Sequence, residues 1–432
     1  MNRTYKFTVF PDSKNKKSNL QNVLDEISNL PAGSFARIKL PKGIYKGQFF
    51  FDGNKLYPGK MGVSIVIEGR GIGKTRISGS LAASEILSDG FKRGTFRTYT
   101  AFFSGPHVEL KGLTIENTSG LPPPEGIGGK AMQGIALYAA AETMICKKVE
   151  LLGHQDTLFL APLPVAEREK GGFRGPGEFA LRKPTLQLYE KCFVSGTVDF
   201  VFGGAAALFS KCKFVVRNEV CESSDTQKTE ASNFSQGKAD KKVMGQVNAE
   251  AKESAEIREN TKPPHTAKAE KKYYVAAPCA DSKSSESDIS SGFFFERCDF
   301  ALENNTNNIK ERNAQVYLSR PWRPFGRCFF FNCRIGEGFS PELWHIWNSD
   351  NDKKTAGFYI SCGNSAQKSV DSCQRFNIPK LLEVALRICI GSKCFKNKED
   401  EHSLRKDWGE ELSETEKKSL LLKIKKMLNF AG

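Results

Sequence analysis

The stretch GTVDFVFGG, residues 196–204, sets the carboxylate of Asp199 among Val198, Phe200, Val201 and Phe202. A carboxylate inside a β-type apolar run is expensive to bury unless something pairs with it. The flanking sequence shows what kind of fold surrounds it. Upstream lies YEKCFVSG, with Cys192, and downstream FSKCKFVV, with Cys212. MICKKVEL at Cys146, FERCDFAL at Cys298 and FFNCRIGE at Cys333 have the same build: apolar residues, Cys, then a short alternating segment. HVELKGLTIENT, residues 107–118, keeps the rhythm without Cys. Cys192 and Cys212 are 20 residues apart, one strand-turn-strand unit. Weak repeats of this period, rich in β-branched and aromatic residues, predict a β-solenoid. The cysteines are then expected to stack coil upon coil in the interior as small buried hydrophobes.

The rest of the chain fits an all-β solenoid with caps. In LQNVLDEISNL, Leu20, Val23, Leu24, Ile27 and Leu30 fall on one helical face, as expected of a helix covering the first coil. Residues 217–272 are polar, with Phe234 their only aromatic before the closing KK, and are expected to be a flexible insertion. LSETEKKSLLLKIKKML has a capping box, Ser413 with Glu416, ahead of Leu420, Ile424, Met427 and Leu428. The expected division is therefore a β-helix over 1–375, with an extra loop at 162–184, and a helical extension over 376–432 packing on it.

Composition narrows the function classes. The chain has 432 residues and a formal net charge of +15, which attracts polyanions without choosing among nucleic acid, acidic membrane and acidic polysaccharide. No run approaches the ~18 apolar residues of a membrane span. The N-terminal residues hold no apolar signal core, so a cytoplasmic location is expected, with secretion the alternative if a leader has been trimmed away. There are 12 Cys but no CxxC pair, and no His lies where a zinc cluster needs one. EGRGIGKT, residues 68–75, has Glu68 where a phosphate-binding loop needs Gly, and RISGS after it reads as a strand; it is expected to be a solenoid turn.

Four polar interruptions of strand-like sequence remain: MQGIALYA with Gln133, GHQDTLFL with Gln155 and Asp156, GTVDFVFGG with Asp199, and VYLSRPWRPFGR with Arg320 and Trp322. Each alone has a simple explanation, a side chain facing solvent. On neighbouring coils of one face they form a set capable of acyl chemistry. One carboxylate serves as nucleophile, a second as acid and base, amide N–H groups meet an oxyanion, and an Arg keeps the nucleophile ionised.

In this order the motifs resemble those of the pectin methylesterases, whose patterns GxQDTLY, GTVDFIFG and LGRPW are here GHQDTLF, GTVDFVFG and LSRPW. SPELWHIWN, AGFYISCGN and DWGEELSETE are similar to later segments of that family. The resemblance implies a right-handed parallel β-helix that hydrolyses the C6 methyl esters of homogalacturonan to methanol and free galacturonate. It implies Asp199 as nucleophile, Asp156 as acid and base, Gln133 and Gln155 as oxyanion donors, and Arg320 as partner of Asp199. Trp322, with Phe202 and Trp347, would shape the sugar cleft. No metal or cofactor is implied. The partner is methyl-esterified pectin or an oligogalacturonide, with no nucleic acid or membrane involved, and a monomer is expected. Departures from the family pattern are Gly47 for Glu, Ser319 for Gly before Arg320, and Leu343 for Gly before Trp344. The 162–184 loop resembles one found in some bacterial members. A calcium-dependent lyase on a similar β-helix, a pectin-binding module without activity, and an esterase of another acyl substrate are the competing readings.

Overall fold

The structure, a computed structural model, describes residues 4–11, 20–56, 58–120, 133–183, 185–217, 271–280, 291–303, 314–331, 333–347 and 357–361. All of them belong to one unit, Met1–Glu219 with Lys271–Gly432. The insertion expected at 217–272 lies outside the described residues apart from Arg217, Lys271 and Lys272, and so does the helical extension expected at 376–432.

Short strands pair in parallel, each with its counterpart one coil away. One coil is Leu186–Glu190, Phe193–Gly196 and Val201–Gly203; the next is Ala206–Ser210, Lys213–Val216 and Lys272–Pro278. Every pairing between these two coils is parallel and in register, Leu188 with Leu208, Val194 with Phe214, Val201 with Ala276. The fold is a parallel β-helix. The near match to a phosphate loop is a turn between Ser64–Glu68 and Thr75–Gly79, with Glu68 paired to Arg37 at 2.7 Å.

Because side chains alternate across a strand, each register position builds a column running the length of the solenoid. Phe49, Ala101, Leu137, Leu158, Val201 and Ala276 form one inward column, all in the main core. A second inward column stacks aromatic rings: Tyr189 on Phe209 at 4.6 Å, Phe209 on Phe295 at 5.0 Å, Phe295 on Phe330 at 4.8 Å. The N-terminal helix Leu20–Ser28 buries Leu20, Leu24 and Ile27 against the same core, with Val23 and Leu30 at its margin.

The cysteine stack is a ladder of four of the five expected residues. The Sγ of Cys212 approaches the Tyr189 carbonyl, that of Cys298 the Phe209 carbonyl, and that of Cys333 the Phe295 carbonyl; Cys192 uses the Cys146 carbonyl, all at 3.2–3.3 Å. Cys146 itself sits one column over, in register with Tyr189. The corner explains the offset. Lys148, Lys191, Lys211 and Arg297 have φ of 51°, 53°, 55° and 51°, a left-handed turn repeated coil by coil. In EKC, SKC and ERC the Cys follows that residue, whereas in ICKK it precedes it by two.

Candidate active site

Outward from the Phe49 column lies a second row: Phe50, Phe102, Tyr138, Phe159, Phe202 and Ala277, in register on successive coils. Arg320 follows Ser319, which pairs with Ala276. This aromatic row is the floor on which the polar motifs converge.

The opening segment is not one continuous strand. Phe193–Gly196 ends, Thr197 to Asp199 bend, and Val201–Gly203 begins after Phe200. Asp199 has φ 50° and Asp156, one coil earlier, has φ 66°. Left-handed backbone at a residue other than Gly is uncommon, and Asp tolerates it better than most. Two glycines let the bend close. A Cβ on Gly196 would stand 2.2 Å from Phe200 Cβ, and one on Gly203, at φ 131°, would stand 2.1 Å from the Leu160 carbonyl oxygen. The Asp156 N–H donates to the Val198 carbonyl at 3.1 Å and the Leu158 N–H to that of Phe200 at 2.9 Å, which locks the two acidic corners together.

Asp199 is buried, and its partner is Arg320. Nε donates to Oδ1 at 2.9 Å and Nη2 to Oδ2 at 2.6 Å, a bidentate pair. The guanidinium is itself sandwiched, 3.9 Å from the Tyr274 ring centroid and 4.1 Å from that of Trp347. Burial pushes the Asp199 carboxyl above the usual carboxylate range, and Arg320 pulls it back. Asp156 is pushed well above that range. Burial acts first, the negative charge of Asp199 adds to it, and the opposing pull of Arg320 and of a hydrogen bond with Thr95 is weaker. Two neighbouring carboxyls are thus driven apart in proton affinity, Asp199 being the readier to ionise.

Gln133 and Gln155 pair as an isolated parallel bridge, and the Gly134 N–H donates to the Gln155 carbonyl at 3.0 Å. Both line a cleft of about 270 Å³, together with Asp156, Asp199, Phe202, Arg320, Trp322 and Trp347. All eight residues singled out in the sequence therefore border one space. Among the described residues, no group of three or more His, Cys, Asp or Glu is placed to hold a metal ion.

Several contributors had no signal in the motifs. Thr95 and Phe96 come from the short helical turn Thr95–Arg97, and Phe96 packs against Phe159 at 5.0 Å and Trp322 at 6.4 Å. Tyr274 lies on the strand Lys272–Pro278. The extra loop folds over the cleft. Phe173 is buried, edge-on to Phe96 at 5.8 Å and to Trp322 at 6.3 Å, and Arg168 and Glu169 border the cleft beside it. Arg323 ties the loop down, donating to the Ala166 carbonyl at 2.8 Å. Of the departures from the family pattern, Leu343 keeps the left-handed backbone of a glycine, with φ 59°. Ser319 is fully buried, and its hydroxyl donates to the Ala276 carbonyl at 3.1 Å. Gly47 has φ 145°, where a side chain is strained.

Comparison with known proteins agrees with this fold. The family model for pectinesterases matches residues 7–163, 181–273 and 243–381. A probable pectinesterase/pectinesterase inhibitor from Arabidopsis thaliana is 26% identical over 314 residues, 72% of this chain and 38% of that protein. A pectinesterase from Petunia integrifolia is 24% identical over 357 residues, 83% of this chain and 70% of its own. The chain thus spans well under half the length of the first of these relatives. Among solved structures, the pectin methylesterase from carrot superposes with a TM-score of 0.53 at 18% identity, covering 85% of each chain. PemA from Erwinia chrysanthemi gives 0.52 at 19%, covering 86% of this chain and 93% of its own. These neighbours share the β-helical fold, and the family match spans most of the sequence: the chain belongs to the pectinesterase family.

Proposed function

We propose that the protein hydrolyses the C6 methyl esters of homogalacturonan, releasing methanol and free galacturonate. The observation that carries this reading is the pair of buried carboxyls, one clamped by Arg320 and the other held towards its neutral form, facing one cleft with two glutamines. Asp199, ionised, attacks the ester carbonyl carbon. Each of its oxygens gives one lone pair to Arg320 and keeps another for the substrate. The carbonyl oxygen becomes an oxyanion and is met by the amide N–H groups of Gln133 and Gln155. Asp156 gives its proton to the departing methoxyl oxygen, the C–O bond breaks, and methanol leaves an acyl group on Asp199. Asp156, now a carboxylate, takes a proton from water. That water attacks the acyl carbon, releasing the galacturonate and restoring both aspartates. Trp322, Phe202 and Trp347 give the sugar apolar faces to lie against. The basic balance of the chain favours an acidic polymer.

The test is methanol release from highly methylated pectin by the wild type and by Asp199→Asn, both checked for native circular dichroism. Release by the wild type, with loss of several orders of magnitude in the variant, is expected. A folded wild type that releases no methanol from polymer or oligomer refutes the reading and favours a binding module or another acyl ester. A solved pectin methylesterase in complex with a hexasaccharide, similar in fold with a TM-score of 0.53 at 18% identity over 89% of this chain and 96% of its own, supports an oligosaccharide as the ligand to try first.

A further inference from the structure

A stack of parallel coils offers a sugar chain one straight track, the outward row Phe50, Phe102, Tyr138, Phe159, Phe202 and Ala277. A ring of that row can receive a sugar only where its face meets solvent. Phe202 and Ala277 border the cleft. Phe159 and Tyr138, on the two coils before them, are 0% and 1% exposed, although they point away from the main core. The cover is made by the turn Thr95–Arg97 and the extra loop. Phe96 stands 5.0 Å from the Phe159 ring and 6.3 Å from that of Tyr138, and Phe173 closes edge-on over Phe96 at 5.8 Å. The loop backbone lies directly on Tyr138: a Cβ on Gly177 would stand 2.0 Å from its hydroxyl oxygen.

The cover is tied down along its length. The Thr185 hydroxyl donates to the Ala161 carbonyl at 2.6 Å, which joins the two ends of the loop. The Arg182 guanidinium donates to the carbonyls of Gly177, Glu178 and Ala180 and pins the turn that touches Tyr138. Across the cleft, Arg323 donates to the Ala166 carbonyl and Arg168 to that of Trp322. This is the build of a wall, not of a lid. The reacting groups stand where the open floor ends. Gln133 and Gln155 precede Tyr138 and Phe159 on the covered coils, and Asp199 precedes Phe202 on the first open one. The cleft of about 270 Å³ falls short of the roughly 300–1,000 Å³ that encloses a drug-sized molecule. An ester in the interior of a chain needs room for sugar on both sides; here the track continues on one side only.

We propose that the 162–184 loop and Phe96 close the cleft on the side of the N-terminal coils, so that the protein de-esterifies units at one end of a galacturonate chain and not units in its interior. The substrates this selects are short oligogalacturonides and the ends of longer chains. The inference rests on the esterase reading for its products, but not for the limit it sets on binding.

The experiment gives the full-length wild type a fully methyl-esterified hexagalacturonate, isotopically marked at its reducing end, and locates each new carboxylate by tandem mass spectrometry. Early products should carry it on the terminal unit or its neighbour, at the same end in every molecule, with the interior units still esterified. Early carboxylates spread over the interior overturn the proposal. A variant with residues 164–183 replaced by a short Gly/Ser link, which the joined ends of the loop permit, is checked by circular dichroism. Once folded, it should spread the carboxylates inward; a folded variant with the wild-type pattern refutes the loop as the wall. Binding is measured in parallel without turnover, by calorimetry of Asp199→Asn with fully esterified chains of two lengths, which carry no charge to attract a basic protein. Saturation at one protein per chain, whatever the length, supports the wall. A stoichiometry that grows with length, or no binding, overturns it. A wild type that releases no methanol from any chain, yet saturates these chains one to one, refutes the esterase reading and leaves the wall standing.

Discussion

Replacing Arg320 with Ala separates the two roles that the ion pair combines. The side chain of Asp199 is 5% exposed and that of Arg320 is 19% exposed, so the pair is screened little by water. Truncating one partner of such a pair costs about 3–5 kcal/mol, most of it the penalty of leaving the other charge buried alone. Loss of the contacts with Tyr274 and Trp347 adds to this, at about 1 kcal/mol for each ring. Asp199 has one way to relieve the penalty, which is to take up a proton. Burial already pushes its carboxyl upward, and Arg320 is what pulls it back. Without Arg320 the folded protein holds that proton well above the pH at which an unfolded Asp, near ~3.9, releases it. Between those two values the folded state binds more protons than the unfolded state, so stability falls as pH rises. Thermal melts should therefore show at pH 4.5 mainly the loss of the two ring contacts, about 2 kcal/mol. At pH 7.5 the deficit should grow to about 15 °C, taking about 6 kcal/mol for the ion pair and the ring contacts together and the usual few degrees per kcal/mol for a large domain. With Asp199 as the nucleophile proposed above, methanol release should fall by about a thousandfold at neutral pH, because the carboxyl is held further towards its protonated form. The acidic limb of the pH–rate profile should move to higher pH, and Arg320→Lys should move it less. An unchanged acidic limb in Arg320→Ala, with the protein folded, would refute the assignment of Arg320 as the group that keeps Asp199 ionised.

Two further outcomes follow from packing. Phe173→Ala removes a buried ring edge-on to Phe96 and Trp322; it should lower stability by about 3 kcal/mol and raise KM for oligogalacturonides more than it lowers kcat, as measured by melts and steady-state kinetics. The seven described cysteines are free and buried, so a thiol-reactive dye should label none of them in the native protein and all of them in denaturant; fast labelling of Cys192, Cys212, Cys298 or Cys333 under native conditions, mapped by mass spectrometry, would contradict the inward ladder.

The solenoid was legible in the sequence because its repeat carries a chemical marker. A left-handed corner residue, usually Lys or Arg, is followed by a small thiol that fits the space inside the next strand. The marker also misled. ICKK contains the same letters, but its left-handed residue is Lys148, two places after Cys146, so the thiol falls in the neighbouring column. Composition around a cysteine does not encode which residue turns the corner; the pairing with the coils on either side does. The four polar motifs were legible for a related reason. Each interrupts an apolar strand, and parallel coils in register bring such interruptions to one face.

The supporting residues were hidden because they reach the cleft across the fold. Thr95 and Phe96 arrive on a short helical turn, Tyr274 from a strand whose apolar sequence gave no sign of a guanidinium resting on it, and Phe173 and Arg168 from an irregular loop. None has a periodicity to betray it. The corner geometry of the two aspartates was hidden as well, since VDFVF reads as strand while the backbone bends at Asp199. That bend joins fold and chemistry. A left-handed residue at a solenoid corner is what ends one strand and starts the next, and at Lys148, Lys191, Lys211 and Arg297 that residue is basic. At Asp156 and Asp199 the same backbone device carries short acidic side chains and presents them over the aromatic row. The conformation that turns the coil thus also sets the two carboxyls close enough for the charge of Asp199 to raise the proton affinity of Asp156. Local strain of this kind persists only where the surroundings over-determine it. Here the Asp156 to Val198 hydrogen bond, the close fit at Gly196 and Gly203, and the Arg320 clamp do so together.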